Sequence, residues 1–248
     1  MSTLRKVRQY LGRAPLFAFN QVFRDRWVAE QAASLKPGSV VLDVGAGSCP
    51  YRALFSHCDY RAQDFAMLED SQLRYGGYGT IDYVCDIHSI PAPDASFDVV
   101  LCTEVLEHLP EPIVVVREMA RLLRLGGKLI LTAPLGSGIH QEPYHFYGGY
   151  TPYWYERFLR EAGFDDIKVE PNGGFFRYYG QESLRFLMMT RPLAAGMPPW
   201  LTLTSAPLWL LIAPFLGVLA PVICSLLDRF DSEQRFTVGY HVTARRSE

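Results

Sequence analysis

The chain is poor in cysteine and carries no strong excess of charge of either sign. Its five cysteines are scattered through 248 residues without a C-x-x-C pair, which argues against a disulfide framework and a structural zinc site. The net charge is only −2, so a nucleic acid partner is not expected. The basic start of the chain lacks the apolar run of a signal peptide, and the expected location is cytoplasmic.

Apolar residues make up 49% of the chain and aromatic residues 13%, enough for a sizeable core. From Pro37 to Val169, short apolar runs alternate with helical patterns. Strands are expected at 39–43, 60–63, 81–85, 97–102, 127–133 and 165–169, and helices near 50–57, 111–124 and 151–162. This alternation predicts an α/β fold with a parallel sheet and helices on both faces.

Three regions are expected along the chain. Residues 1–36 are predicted to be an amphipathic helical segment whose basic residues are Arg5, Lys6, Arg8 and Arg13. Residues 37–170 and 235–248 are predicted to form the sheet domain, because 236–245 alternates like a strand that returns to the sheet. Residues 171–234 are then an insertion before the last strand.

A long apolar stretch in this insertion, residues 192–227, contains no charged residue. It could cross a bilayer once, but both of its ends must return to one sheet, and Pro207, Pro214 and Pro221 would kink a straight helix. The favoured interpretation is a bent apolar hairpin on one membrane leaflet, with the protein peripheral on the inner face. A buried helix pair and a true span are the alternatives.

A glycine loop follows the first predicted strand. The sequence VLDVGAGS places Asp43 at the strand end and Gly45 and Gly47 in a tight turn. Such a turn lets backbone amides approach a nucleotide-like ligand.

Acidic residues end the following strands. Asp64 ends the second strand, where a carboxylate can accept hydrogen bonds from ribose hydroxyls. Asp86 and Ile87, in CDIHSIP, follow the third strand, and could accept the adenine amino proton and pack on the ring. Glu104 follows the fourth strand in SFDVVLCTEVLEHL, ahead of LRLGGKLILTAP.

In this order and spacing the motifs resemble a class I S-adenosylmethionine-dependent methyltransferase, of the broad group that includes ubiquinone- and menaquinone-biosynthesis methyltransferases. The resemblance implies a Rossmann-like, seven-stranded, mostly parallel sheet whose last strand is antiparallel. It implies S-adenosylmethionine as cofactor, and the residues that would hold it are Asp43, Gly45, Gly47, Asp64, Asp86, Ile87 and Glu104. The family often has a third glycine where this chain has Cys49.

The segment 136–158, rich in histidine and tyrosine, is expected to follow the fifth strand at the edge where ligands bind. Methyl transfer needs an aligned acceptor and, for an oxygen acceptor, removal of a proton. His145 is the first candidate for that base and His140 the second. The apolar insertion favours a small, hydrophobic or lipid-linked acceptor that contacts the membrane surface.

Two questions remain open at this point. Glu104, Glu107 and His108 share a helix face if EVLEHL is helical, and a similar E-x-x-E-H cluster with a later histidine, here His145, binds a metal in small-RNA 2′-O-methyltransferases. The favoured interpretation is a common fold signature, and the expectation is no metal. The rival functions are a non-catalytic scaffold or membrane tether, and a nicotinamide-dependent oxidoreductase, for which Pro50 breaks the required glycine turn.

Overall fold

The structure, a computed structural model, describes residues 19–192 and 198–247. The predicted basic residues Arg5, Lys6, Arg8 and Arg13 lie outside this range. Within the described residues there are seven strands: β1 Val40–Val44, β2 Asp59–Asp64, β3 Tyr83–Val84, β4 Phe97–Thr103, β5 Leu123–Pro134, β6 Phe164–Pro171 and β7 Gly239–Arg246. The α-helices are α1 Phe19–Ala33, α2 Pro112–Leu122, α3 Pro152–Glu161, α4 Phe175–Thr190, α5 Pro199–Pro214 and α6 Ala220–Leu227.

The strands form one seven-stranded sheet in the order β3-β2-β1-β4-β5-β7-β6. Strands β1 to β5 pair in parallel, and β7 runs antiparallel to β5, with Leu131 opposite Val242. The predicted Rossmann-like sheet with an antiparallel last strand is therefore confirmed. Because β1 to β5 are parallel, their carboxyl ends meet at one edge of the sheet, which is where such folds bind ligands.

Alternating residues of the central strands point into two apolar cores, one on each face of the sheet. Val41 and Leu101 pack in the same cluster as Trp27 of α1. Leu42 and Val100 pack in the cluster that includes the apolar faces of α2 and α3. The period of two in the strands thus buries both faces, which holds the carboxyl edge rigid.

Two compact units divide the chain. Among the described residues, the sheet unit comprises 24–170 and 239–247, and the insertion unit comprises 19–23, 171–192 and 198–238.

The insertion unit corrects the prediction of an apolar hairpin within 192–227. The chain from Thr204 to Phe230 is one continuous helix of 27 residues, and its antiparallel partner is α4. The hydroxyl of Ser183 donates to the carbonyl of Leu216 at 2.9 Å, and the indole of Trp209 donates to the carbonyl of Leu187 at 3.3 Å. No hairpin turn therefore lies between Thr204 and Phe230.

The prolines do not break this helix because a π turn, Phe215–Leu219, lies between Pro214 and Pro221. In that turn the amide of Ala220 donates to the carbonyl of Phe215. Proline lacks an N–H and leaves a carbonyl of the preceding turn without its usual donor. The wider π turn shifts the hydrogen-bond pairing by one residue, so the helix can continue.

Two local predictions also need correction. The helix expected near 50–57 is a short 3-10 turn, Arg52–Phe55, and Cys49 just before it adopts a positive φ of 49°. The strand expected at 127–133 begins earlier, because β5 follows directly after α2 and already contains Gly126. There the register against β4 shifts, as expected where glycine permits a bulge.

Candidate functional site

The glycine loop after β1 is held by two side chains from the end of β2. The amide of Gly45 donates to Oε1 of Gln63 at 3.2 Å, and the amide of Gly47 donates to Oδ2 of Asp64 at 2.8 Å. The amide of Ala46 donates to the backbone carbonyl of Gln63 at 3.0 Å. The loop is therefore fixed in shape by its neighbouring strand.

Glycine is required at Gly45 for two reasons. Its φ is +67°, and a Cβ there would lie 2.5 Å from Cγ2 of Val105. Gly47 also has a positive φ, of 51°. Cys49, at the position where the resemblance expects a third glycine, adopts φ 49°, so the loop keeps the left-handed shape without glycine there.

Asp43 is fully buried behind this loop. Its Oδ2 accepts a hydrogen bond from the hydroxyl of Tyr60, and burial raises the pKa of the Asp43 carboxyl to about 7. The Asp43 side chain therefore lies under the glycine loop and is held there by Tyr60, a residue that the sequence did not point to.

The three predicted nucleoside contacts follow the ends of β2 and β3. Asp64 is buried and also accepts the amide of Ala66 at 2.9 Å, and burial raises the pKa of its carboxyl. The side chain of Asp86 is 74% exposed. It accepts the amide of His88 at 2.9 Å and the imidazole of His88 at 2.6 Å, which lower the pKa of the Asp86 carboxyl. Ile87 is buried beside it.

Glu104 lies directly after β4 with a positive φ of 54°. Its Oε1 accepts the hydroxyl of Thr132 at 2.9 Å, and its Oε2 lies 2.9 Å from Nη1 of Arg24. The sequence analysis missed Arg24, because an ion pair between residues so far apart in the chain leaves no local signal. The carboxylate is thus held in place but partly neutralised.

The predicted base candidates lie in a loop that is tied to the 3-10 turn Leu106–His108. The carbonyl of Glu107 accepts the amides of Phe146 at 2.9 Å and Tyr147 at 3.1 Å. This pairing brings His140 and His145 next to His108, with ring centroids 4.7 Å and 5.6 Å from the His108 ring. The structure therefore groups His108 with His140 and His145, which lie far from it in the sequence.

Burial controls the electrostatics of this histidine cluster. It lowers the pKa of His108 to about 4 and lowers that of His145. Burial and the negative charge of Glu104 raise the pKa of the Glu107 carboxyl well above its ordinary value. His108 and His145 thus present neutral imidazoles beside a buried carboxyl group.

Residues 42–131 match the family described as a methyltransferase domain. The sarcosine/dimethylglycine N-methyltransferase of Halorhodospira halochloris is 30% identical over 165 residues, which are 59% of this chain and 59% of that protein. The ubiquinone biosynthesis O-methyltransferase of Xanthomonas axonopodis pv. citri is 38% identical over 130 residues, or 48% of this chain and 51% of that protein. The chain matches little more than half the length of these curated relatives.

Among solved structures, a SAM-dependent methyltransferase from Archaeoglobus fulgidus has the same fold. It superposes with a TM-score of 0.55 at 13% identity, over 98% of this chain and 100% of that one. This similarity concerns the fold alone, and it agrees with the strand order described above.

Proposed function

This chain contains a class I methyltransferase domain, and from that premise we propose that it transfers a methyl group from S-adenosylmethionine to a small, hydrophobic or lipid-linked acceptor. The observation that carries the proposal is the row of carboxylates beside a fixed glycine loop, all at the carboxyl edge of the parallel strands. Asp64, Asp86 and Glu104 follow the ends of β2, β3 and β4, in that order.

The donor set of this edge fits the cofactor. Carboxylates only accept hydrogen bonds, and S-adenosylmethionine offers an ammonium group, ribose hydroxyls, an adenine amino group and a positive sulfonium. We assign Asp43, Gly45 and Gly47 to the methionine end, and Glu104 to the region of the sulfonium. Asp64 is assigned to the ribose, and Asp86 and Ile87 to the adenine.

The cofactor, when bound, supplies an activated methyl group, and the remaining task is alignment of the acceptor. An oxygen acceptor also needs to lose a proton. We assign this step to the histidine cluster, with His145 as the first candidate and His140 as the second. The buried Tyr150, whose hydroxyl donates to the carbonyl of Leu106 at 2.6 Å, supports the turn that carries His108.

The apolar helix (Thr204–Phe230) supports a hydrophobic acceptor. It is the one helix found among the described residues that is long and apolar enough to cross a membrane, with a mean hydropathy of 2.5 and 17% of that window buried. Several matching relatives are named for ubiquinone or menaquinone biosynthesis. We propose that this helix brings the enzyme to the surface of the cytoplasmic leaflet.

Charges on α4 favour a surface position over a span. α4 packs along the apolar helix, with Gly180 against Pro221 and Cys224. It carries an exposed ion pair between Glu182 and Arg185, with Oε2 and Nε 3.0 Å apart. A spanning apolar helix would carry this pair into hydrocarbon, which is costly.

Calorimetry of the purified chain tests the function. The expected result is one site for S-adenosylmethionine and for S-adenosylhomocysteine, and no binding of NAD. Binding of NAD alone would favour an oxidoreductase, and binding of none of the three would favour a scaffold or tether. Incubation with a labelled methyl donor and a lipid extract then identifies the acceptor.

A further inference from the structure

Three histidines of the sheet unit converge on one point. One ligand nitrogen from each of His108, His140 and His145 lies within 4.8 Å of the others. Residues from two separate segments form the cluster, and backbone hydrogen bonds from Phe146 and Tyr147 to Glu107 hold those segments together. The grouping is therefore a property of the folded edge and does not depend on one mobile side chain.

Hydrogen bonds fix which nitrogen of two of these rings carries the proton. Nδ1 of His108 lies 2.5 Å from the carbonyl oxygen of Tyr144, and Nδ1 of His140 lies 2.9 Å from that of Gly138. A carbonyl only accepts, so each Nδ1 is the donor and each Nε2 keeps its lone pair. Anchoring of a histidine through a backbone carbonyl is the usual support of a metal ligand.

Two polar atoms in the cluster have no hydrogen-bond partner within the described part of the chain. Nδ1 of His145 is buried without a hydrogen-bond partner, and so is Oε2 of Glu107, a residue only 1% exposed. Oε1 of Glu107 lies 3.7 Å from Nε2 of His108, too far for a hydrogen bond. A cation bound between the rings would give the buried imidazole nitrogen of His145 the partner that it lacks.

We propose that His108, His140 and His145 bind a divalent transition-metal ion. Three imidazole nitrogens suit zinc and its first-row neighbours. Three protein ligands leave a coordination position open, and the exposure of His140 places that position toward solvent. This inference departs from the expectation of no metal drawn from the sequence.

The use of the ion rests on the proposed function, whereas its binding does not. An oxygen of the acceptor would occupy the open position, where the positive charge lowers the pKa of a hydroxyl group. His140 and His145 would then act on the acceptor through the ion, because a metal-bound nitrogen has no lone pair left to accept a proton.

Zinc titration of the full chain, made without a histidine tag and stripped with a chelator, tests the proposal. The expected result is one zinc ion per chain, and Co²⁺ in its place should give visible absorption bands typical of low coordination. H140A should weaken zinc binding by at least about tenfold. H57A is the control, because His57 is exposed and lies outside the cluster, and it should bind zinc like the unchanged chain.

Absence of zinc binding, or equal zinc affinity in H140A and the unchanged chain, overturns the proposal. H145A, the second variant, should show the same loss, and circular dichroism verifies that both variants are folded. S-adenosylhomocysteine binding to the metal-free chain separates the two proposals. If S-adenosylhomocysteine binds and zinc does not, the metal proposal alone is wrong. If zinc binds and S-adenosylhomocysteine does not, the methyltransferase proposal alone is wrong.

Discussion

Asp64 accepts a hydrogen bond from the amide of Gly47, with 2.8 Å between Oδ2 and the nitrogen. Its other oxygen, Oδ1, accepts the amide of Ala66 at 2.9 Å. The residue assigned to the ribose therefore also sets the shape of the loop assigned to the methionine end. Binding and loop structure are linked through one carboxylate.

The variant D64N should lose both functions together. Asparagine has one oxygen and one NH₂ group, so one of the two amides would face a donor, at a cost of about 1–3 kcal/mol in unfolding free energy. We expect S-adenosylhomocysteine to bind at least about tenfold more weakly. Calorimetry and urea unfolding measure the two effects. D59N, at the exposed start of the same strand, should change neither, and a normal affinity in D64N would contradict the assignment.

Gly45 and Gly38 form a matched pair for testing the glycine loop. Both have positive φ. A Cβ at Gly45 would clash with Val105, whereas a Cβ at Gly38 would have no heavy atom of the described residues within 4 Å. G38A should lose about 1–2 kcal/mol of unfolding free energy from φ alone. G45A should lose about 1–3 kcal/mol more from overpacking and should bind the cofactor poorly.

The double variant G45A/V105A isolates the clash. Its loss in unfolding free energy should be smaller than the sum of the two single losses, because the side chain that obstructs the new Cβ has been cut back. Additive losses would show that the contact with Val105 is not the reason for glycine at this position.

Glu104 should discriminate between the charged and the neutral form of the cofactor. S-adenosylmethionine carries a sulfonium charge that S-adenosylhomocysteine lacks. E104Q should therefore weaken binding of the former more than the latter, by up to about tenfold, because Arg24 already neutralises part of the carboxylate charge. Calorimetry with both ligands measures the ratio. An equal change for both would place Glu104 away from the sulfonium.

The sheet and the glycine loop were predictable because their signals are local. The period of two in the strands and the spacing of Gly45 and Gly47 are visible within a few residues. The contacts of the site were not predictable in the same way. Arg24 meets Glu104, and His140 meets His108, only because the sheet brings distant segments to one edge.

The apolar insertion shows the opposite failure, in which a local rule was overridden. Pro214 and Pro221 predicted a kinked helix and favoured a hairpin, but the helix continues through a single π turn between them. The sequence also did not reveal the partner helix α4. Its exposed positions mix charged residues with apolar ones such as Phe186 and Met189, so no polar face is visible in the sequence.

Membrane contact is testable with two leucines of equal exposure. Leu210, in the apolar helix, and Leu125, in the sheet unit, are each 66% exposed. L210E should reduce sedimentation with anionic lipid vesicles, since a charge at an inserted position opposes burial in lipid. L125E should leave sedimentation unchanged. Equal behaviour of the two variants, or no sedimentation of the unchanged chain, would remove the case for membrane attachment.

His241 should make the sheet unit sensitive to acid. Its ring stacks on Trp27 with centroids 4.7 Å apart. Burial and the positive charge of Arg24 lower the pKa of His241 to about 4, against about 6.5 in an unfolded chain. As the pH falls from about 6.5 to about 4, His241 is protonated in the unfolded chain but stays neutral in the folded chain. The free energy of unfolding therefore falls by at most about 3 kcal/mol.

H241F keeps an aromatic ring on Trp27 and removes the titrating group. Its unfolding free energy should therefore fall less than that of the unchanged chain between pH 7 and pH 4, as measured by urea unfolding at each pH. H57Q removes an exposed histidine and should follow the unchanged chain. If H241F loses as much stability as the unchanged chain over this range, the acid sensitivity arises from another buried group, and the unpartnered Nε2 of His241 is protonated without cost.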